Sequence, residues 1–103
     1  MARLTKKQKI QLEALRELIP LAPYADFHAI HEAMRAKHMA NLDIRASAFL
    51  AAIAFIRHQH TEYDALRDEG YDHDSARHFV LEDINAVLED WGSARRLSFE
   101  VEE

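Results

Sequence analysis

The feature that most constrains this chain is an apolar run from Ala46 to Ile56, flanked by Arg45 and Arg57. Ten of its eleven residues are apolar. A helix that is apolar on nearly every side has to be buried among other helices. The run is also much shorter than the ~20 residues that a membrane span requires. We therefore predict a central core helix, with its bulk supplied by Leu42, Phe49, Ile53 and Ile56.

Glycine and proline are scarce, with two of each in 103 residues. A β-sandwich or barrel needs a turn every ~8–12 residues, so this scarcity favours helices. There is no cysteine, which excludes disulfides, thiolate nucleophiles and the common cysteine-based zinc sites. The basic N-terminus is not followed by the apolar core of a signal peptide. We expect a cytoplasmic protein with no membrane association.

Capping residues and hydrophobic spacing divide the chain into four or five helices. Thr5 caps the first, Asn41 or Asp43 the third and Asp72 the fifth, while Thr61 to Asp64 resembles a capping box that opens a short fourth helix. The first predicted helix runs to about residue 18, and the second runs from residue 23 or 24 to 38. The third follows Asn41 or Asp43 and reaches His58 or His60, the short fourth ends at Gly70, and the fifth runs from about 73 to 91. We predict an all-α fold, a compact bundle of four to five helices with the apolar helix at its centre.

The C-terminus differs from the rest of the chain. Residues 1–92 are predicted to form a single helical domain and residues 93–103 a tail. From Leu97 to Val101 apolar and polar residues alternate with the period of a strand. The pattern predicts a short extended or partly ordered tail. The alternative is a strand that adds to another chain or pairs with its own copy in a dimer.

The net charge of −5 is unevenly distributed. Residues 1–60 carry a net charge of +4 and residues 61–103 a net charge of −9. Such asymmetry indicates either pairing between the two halves, within or between chains, or a basic binding surface in the first half. Because the isoelectric point is about 5.8, the chain lacks the basic footprint of typical nucleic-acid-binding domains.

The segment from Arg57 to Asp64, followed by Gly70 to Asp74 and Arg77, concentrates side chains that serve acid–base chemistry. A histidine beside Asp and Tyr can transfer protons, and two arginines can hold a phosphate or carboxylate. The structural alternative is that these residues cap helices and pair across the junction. The candidate binding residues are Arg57, His58, His60, Thr61, Tyr63, Asp64 and Arg77; no catalytic residue, metal or cofactor is assigned.

The strings Ile56 to Leu66, Gly70 to Arg77 and Val87 to Trp91 resemble a bacterial family catalogued as domain of unknown function 2293. The family pattern is an Arg-His-x-His-Thr-x-Tyr-Asp-x-Leu core, then an Ala-Arg pair and a helix ending near Trp. The likeness covers roughly residues 46–91. It implies a recurring helical module and marks the seven candidate residues as positions to test. It implies no activity, because the family has none assigned.

These patterns favour a small non-enzymatic helical interaction module that forms a homodimer or binds a protein partner. The first alternative is a nucleic-acid-binding accessory protein that uses the basic N-terminal half, although the acidic isoelectric point does not favour it. The second alternative is a metal-dependent or acid–base site in the Arg57–Arg77 segment, which requires His58, His60 and Asp64 to converge.

Overall fold

Five α-helices make up the fold, and the computed structural model describes residues 3–98. They are α1 (Lys6–Leu18), α2 (Tyr24–Met34), α3 (Ile44–His60), α4 (Tyr63–Asp68) and α5 (His73–Asp90), with a 3-10 turn (Lys37–Met39) before α3. The prediction of an all-α bundle is confirmed, and no strand occurs within residues 3–98. The predicted alternating segment begins at Leu97, and residues 99–103, which include its last three residues, lie outside the described residues. None of the helices in the described range is long and apolar enough to cross a bilayer.

Helix α3 is the central element, as predicted, because it contacts each of the other four helices. Its small residues Ala48, Ala51 and Ala52 are almost completely buried. Small side chains allow neighbouring backbones to approach closely, while Ile53 and Ile56 fill the space between them. The predicted role of α3 in the core is therefore confirmed.

The other helices each contribute one apolar stripe to the same core. Leu15 of α1, Ile30 of α2, and Ile84 and Leu88 of α5 are fully buried. Ile84 and Leu88 are four residues apart, a spacing that places side chains on one helix face. Burial of such side chains contributes about 1.5–3 kcal/mol each relative to exposure, and this apolar surface holds the bundle together.

Three details of the sequence-based prediction were wrong. Leu42 does not belong to the core helix: it precedes α3 and is 39% exposed. Helix α2 ends at Met34, four residues before the predicted end at His38. The reason is that Ala36 adopts an extended backbone with ψ of 149°, and a 3-10 turn follows it.

The third error concerns the start of α4. The predicted capping box from Thr61 to Asp64 does not form, since α4 begins at Tyr63 with Glu62 as its N-cap. The Thr61 hydroxyl instead donates to the carbonyl oxygen of Arg57 and accepts from the Tyr63 N–H. Thr61 therefore joins the end of α3 to the start of α4.

Candidate functional site

Helices α3, α4 and α5 meet around an open polar cleft of about 450 Å³, which we call the motif cleft. Five of the seven candidate binding residues line it, namely Arg57, His58, Tyr63, Asp64 and Arg77. The structure adds three residues that the sequence-based set did not contain, namely Arg67, Asp68 and His73. Residues from three helices thus converge on one polar surface.

Helical spacing explains why α4 and α5 supply the walls of the cleft. Tyr63 and Arg67 are four residues apart on α4, and His73 and Arg77 are four residues apart on α5. Side chains at this spacing lie on the same face of a helix. Both pairs can be recognised in the sequence from the predicted helices. This spacing would have identified Arg67 and His73 as further candidate site residues.

Asp72 places His73 at the start of α5. Its carboxylate accepts the backbone N–H of Ser75 at 2.8 Å, which is the N-cap interaction predicted from the sequence. The same hydrogen bond lowers the pKa of Asp72 below its usual value. The first turn of α5 is thereby fixed next to α4.

His58 and Asp64 form the shortest charged contact of the motif cleft. His58 Nδ1 lies 2.7 Å from Asp64 Oδ1. A carboxylate only accepts hydrogen bonds, so Nδ1 carries the proton and donates it. The pair joins the C-terminal turn of α3 to α4, and both side chains are more than half exposed, so its effect on stability is small.

A second set of hydrogen bonds joins α4 to α5. Tyr63 Oη lies 2.7 Å from His73 Nδ1, and His73 Nε2 lies 3.2 Å from an Arg67 Nη2 group. Arg67 also donates through Nη1 to the carbonyl oxygen of Tyr71 at 2.8 Å. The Tyr63 side chain is almost completely buried. Its packing therefore fixes the position of the hydroxyl group that contacts His73.

Arg57 of α3 and Arg77 of α5 also line the motif cleft, and both are partly buried. The guanidinium carbon of Arg57 lies 5.6 Å from the centre of the Tyr63 ring, a cation–π distance. The two arginines therefore add positive charge to a cleft that already contains Arg67.

His60 does not join the motif cleft. It pairs through Nε2 with Asp26 Oδ2 at 3.3 Å and packs edge-on against Trp91. Residues two apart on a helix point about 200° apart, so His58 and His60 face different neighbours. His60 therefore joins α3 to α2, and the convergence of His58, His60 and Asp64 is not seen. Within residues 3–98, no three His, Asp or Glu side chains lie close enough to hold a metal ion.

A second depression, the arginine-lined groove, adjoins the motif cleft and has a volume of about 760 Å³. Its apolar floor is the face of α3 that carries Ala46, Leu50 and Ala54, and it is bordered by the buried side chains of Phe49 and Ile53. Leu50 is 48% exposed there, although it lies on the central helix. This face of α3 is thus left open by the neighbouring helices.

Four arginines line this groove, namely Arg45, Arg57, Arg77 and Arg95. Arg57 and Arg77 line both depressions. Arg95 places its guanidinium carbon 3.7 Å from the centre of the Phe49 ring, which is close cation–π contact. Among the described residues that line the groove, Asp43 is the single carboxylate. The groove is therefore apolar at its base and positive along its walls, a combination that the sequence analysis did not anticipate.

The comparison with known families decides the classification of the chain. The model of the family described as uncharacterized conserved protein, DUF2293, matches residues 14–92. The chain belongs to this family. The match extends the resemblance seen in the sequence from α3–α5 to α1 and α2, so the DUF2293 domain includes the whole helical bundle from the middle of α1 onward. No curated protein and no solved structure matches the chain.

Proposed function

We propose that this DUF2293 domain is a non-enzymatic protein-interaction module that binds an acidic, partly apolar segment of a partner protein in the arginine-lined groove. The observation that carries the proposal is the half-exposed face of α3 at Leu50, lying between four arginines. Apolar surface of a central helix is normally buried. An open apolar face with positive walls favours a partner with the opposite charge and its own apolar side chains.

The charges of the groove favour an acidic partner. Four guanidiniums face the carboxylate of Asp43, and Arg45 Nη2 also lies 3.6 Å from Glu17 Oε1. The positive charge that remains attracts glutamate or aspartate side chains and raises the association rate. Arg95 and Arg57 each stack on an aromatic ring, which holds the guanidinium planes in place for bidentate contacts with carboxylates. The apolar floor takes up the alternate side chains of the bound segment.

The positive charges of the groove disfavour a homodimer in which the grooves of two copies face each other. A two-fold interface would place the four arginines of one copy against those of the other, and like charges facing each other are repulsive. The homodimer expected from the sequence therefore requires another geometry, such as insertion of the acidic C-terminus of a second copy. Light scattering distinguishes self-association from binding of a partner.

Nucleic acid is the competing partner class, since arginines also bind phosphates. The apolar floor favours protein, because a phosphate backbone makes no use of the exposed Leu50 side chain. The four arginines also come from both halves of the chain, rather than from the basic first half that the sequence-based alternative invoked. Arg3, Lys6, Lys7 and Lys9 do not line the groove.

The proposal is tested with fluorescent peptides of about twelve residues that alternate Glu with Leu or Phe. We expect saturable binding that a matched Lys-for-Glu peptide does not show. Leu50→Asp should abolish binding, and Arg95→Gln should weaken it. Ile10→Asp is the control for Leu50→Asp, since Ile10 of α1 is equally exposed at 46% and lies outside the groove.

Three results would overturn the proposal. One is binding of the acidic peptide that Leu50→Asp leaves intact. Another is tighter, salt-sensitive binding of short DNA or RNA than of the peptide, which would favour the nucleic-acid alternative. The third is a dimer in light scattering that Leu50→Asp converts to a monomer, because the groove would then be occupied by a second copy.

A further inference from the structure

The hydrogen bonds of His73 determine which of its ring nitrogens donates and which accepts in the motif cleft. A guanidinium has only donors, so the Arg67 contact at 3.2 Å makes His73 Nε2 an acceptor. The neutral ring then carries its proton on Nδ1 and donates it to Tyr63 Oη at 2.7 Å. The hydroxyl proton of Tyr63 is consequently not used in this contact, and it is available to another acceptor.

His58 is constrained in a comparable way. Its Nδ1 donates to Asp64 at 2.7 Å, which leaves Nε2 as the ring nitrogen that can meet a ligand. One oxygen of the Asp64 carboxylate is thereby occupied by the hydrogen bond from His58. Of the two carboxylates that line the cleft, Asp68 is the one outside this pair.

The guanidiniums that line the cleft outnumber its carboxylates, three against two. Three guanidiniums line it, from Arg57, Arg67 and Arg77, together with the Tyr63 hydroxyl. They come from three different helices, so they approach the cleft from different directions. A carboxylate has two oxygens in one plane and cannot use such an arrangement fully. A phosphate monoester has three terminal oxygens in a tetrahedral arrangement and a charge of about −1.5 to −2 at neutral pH.

We propose that the motif cleft is a binding site for a phosphate group, of the kind carried by a small phosphomonoester. Arg57, Arg67 and Arg77 supply the charge, and Tyr63 donates its hydroxyl proton to a phosphate oxygen. The cleft volume of about 450 Å³ accommodates a phosphate and part of the organic group attached to it. The inference goes beyond peptide binding in the groove and does not depend on it, although Arg57 and Arg77 line both depressions.

Titration followed by nuclear magnetic resonance tests the site, with inorganic phosphate and glycerol phosphate as probes and chloride holding the ionic strength constant. We expect saturable shifts of the His58, Tyr63 and His73 signals with both probes. If the organic group also contacts the cleft, glycerol phosphate binds more tightly than inorganic phosphate. Acetate at the same concentration should bind at least about tenfold more weakly, since it offers fewer acceptors and less charge.

Two substitutions separate the roles of the residues. Tyr63→Phe keeps the buried ring and removes one donor, so we expect about three- to tenfold weaker phosphate binding with the fold retained. Arg67→Gln should weaken binding by tenfold or more. Arg16→Gln, which removes the same charge from α1, should leave the affinity unchanged. These variants avoid the groove residues, so peptide binding is unaffected and the two proposals fail independently.

The proposal is overturned if phosphate shifts these signals no more than chloride does, or if acetate binds as tightly. It is also overturned if Arg16→Gln weakens binding as much as Arg67→Gln, because the effect would then be general screening. If Arg67→Gln unfolds the domain, the test depends on Tyr63→Phe. Unchanged phosphate affinity in a folded Tyr63→Phe variant would contradict the proposed phosphate site.

Discussion

The side-chain amide of Asn85 forms two hydrogen bonds with the backbone of Leu97. Its Oδ1 accepts the N–H of Leu97 at 2.7 Å, and its Nδ2 donates to the carbonyl oxygen of Leu97 at 3.0 Å. Asn85 lies on α5 and is buried, with 5% of its surface exposed. This double contact fixes the chain that follows α5 against the bundle, and it places Leu97 at the edge of the arginine-lined groove.

Asn85→Ala is therefore expected to lower the free energy of unfolding by about 1–3 kcal/mol, because it leaves the two backbone groups of Leu97 without these partners. Urea unfolding followed by circular dichroism measures the change. Asn41→Ala is the control: Asn41 is exposed, and its substitution should change the free energy of unfolding by less than about 0.5 kcal/mol. Equal effects of the two substitutions would contradict the role assigned to Asn85.

His31 is expected to make stability dependent on pH. It is buried on α2, and its Nε2 lies 3.1 Å from Gln11 Oε1 of α1. An amide oxygen only accepts, so Nε2–H is the donor in this contact. Burial lowers the pKa of His31 below its ordinary value of 6.5, and the nearby Arg35 lowers it further, against an opposing effect of Glu32.

The sign follows from proton linkage. A lowered pKa in the folded state means that the unfolded chain binds the proton more readily, so stability is fully present above pH 6.5 and declines as the pH falls below it. His31→Gln can still bond to Gln11 but does not titrate. Urea unfolding is measured at about pH 7.5 and about pH 5, on either side of the ordinary histidine pKa. The loss of stability between these two conditions should be smaller in His31→Gln than in the original chain, and a larger loss would refute the assignment.

The two glycines are predicted to differ in their tolerance of a side chain. Both have positive φ, 105° at Gly70 and 83° at Gly92, so alanine is strained at either position by about 1 kcal/mol or more. At Gly92 an added Cβ would also lie 3.0 Å from Pro20 Cγ, whereas at Gly70 nothing lies within 4 Å. Gly92→Ala should therefore lower the thermal midpoint more than Gly70→Ala does. The reverse order would show that close packing of α5 against the α1–α2 turn is unimportant.

Five predicted residues line the motif cleft, and all of them except Arg77 lie close together along the chain. Arg57, His58, Tyr63 and Asp64 are near each other because they lie at one helix junction. His60 was grouped with them on proximity in sequence, and helix geometry directs it to Asp26 instead. Neither the hydrogen-bond partner of His73 nor the link between Asn85 and Leu97 could be predicted, since each depends on how separate parts of the chain pack.

The sequence by itself determined the helical class, the caps of α1 and α5 and the place of the Ala46–Ile56 segment in the core. It left Asn41 and Asp43 as alternatives for the cap of α3. The features that it determined depend on local capping chemistry and on hydrophobic periodicity, both of which are properties of adjacent residues. Only the tertiary structure decided which face of α3 remains open, since an almost uniformly apolar helix carries no pattern that marks one face. The same is true of the four arginines around that face, which the chain brings together from residues 45 to 95. Their convergence depends on the packing of α3 and α5 and on the position of the chain after α5.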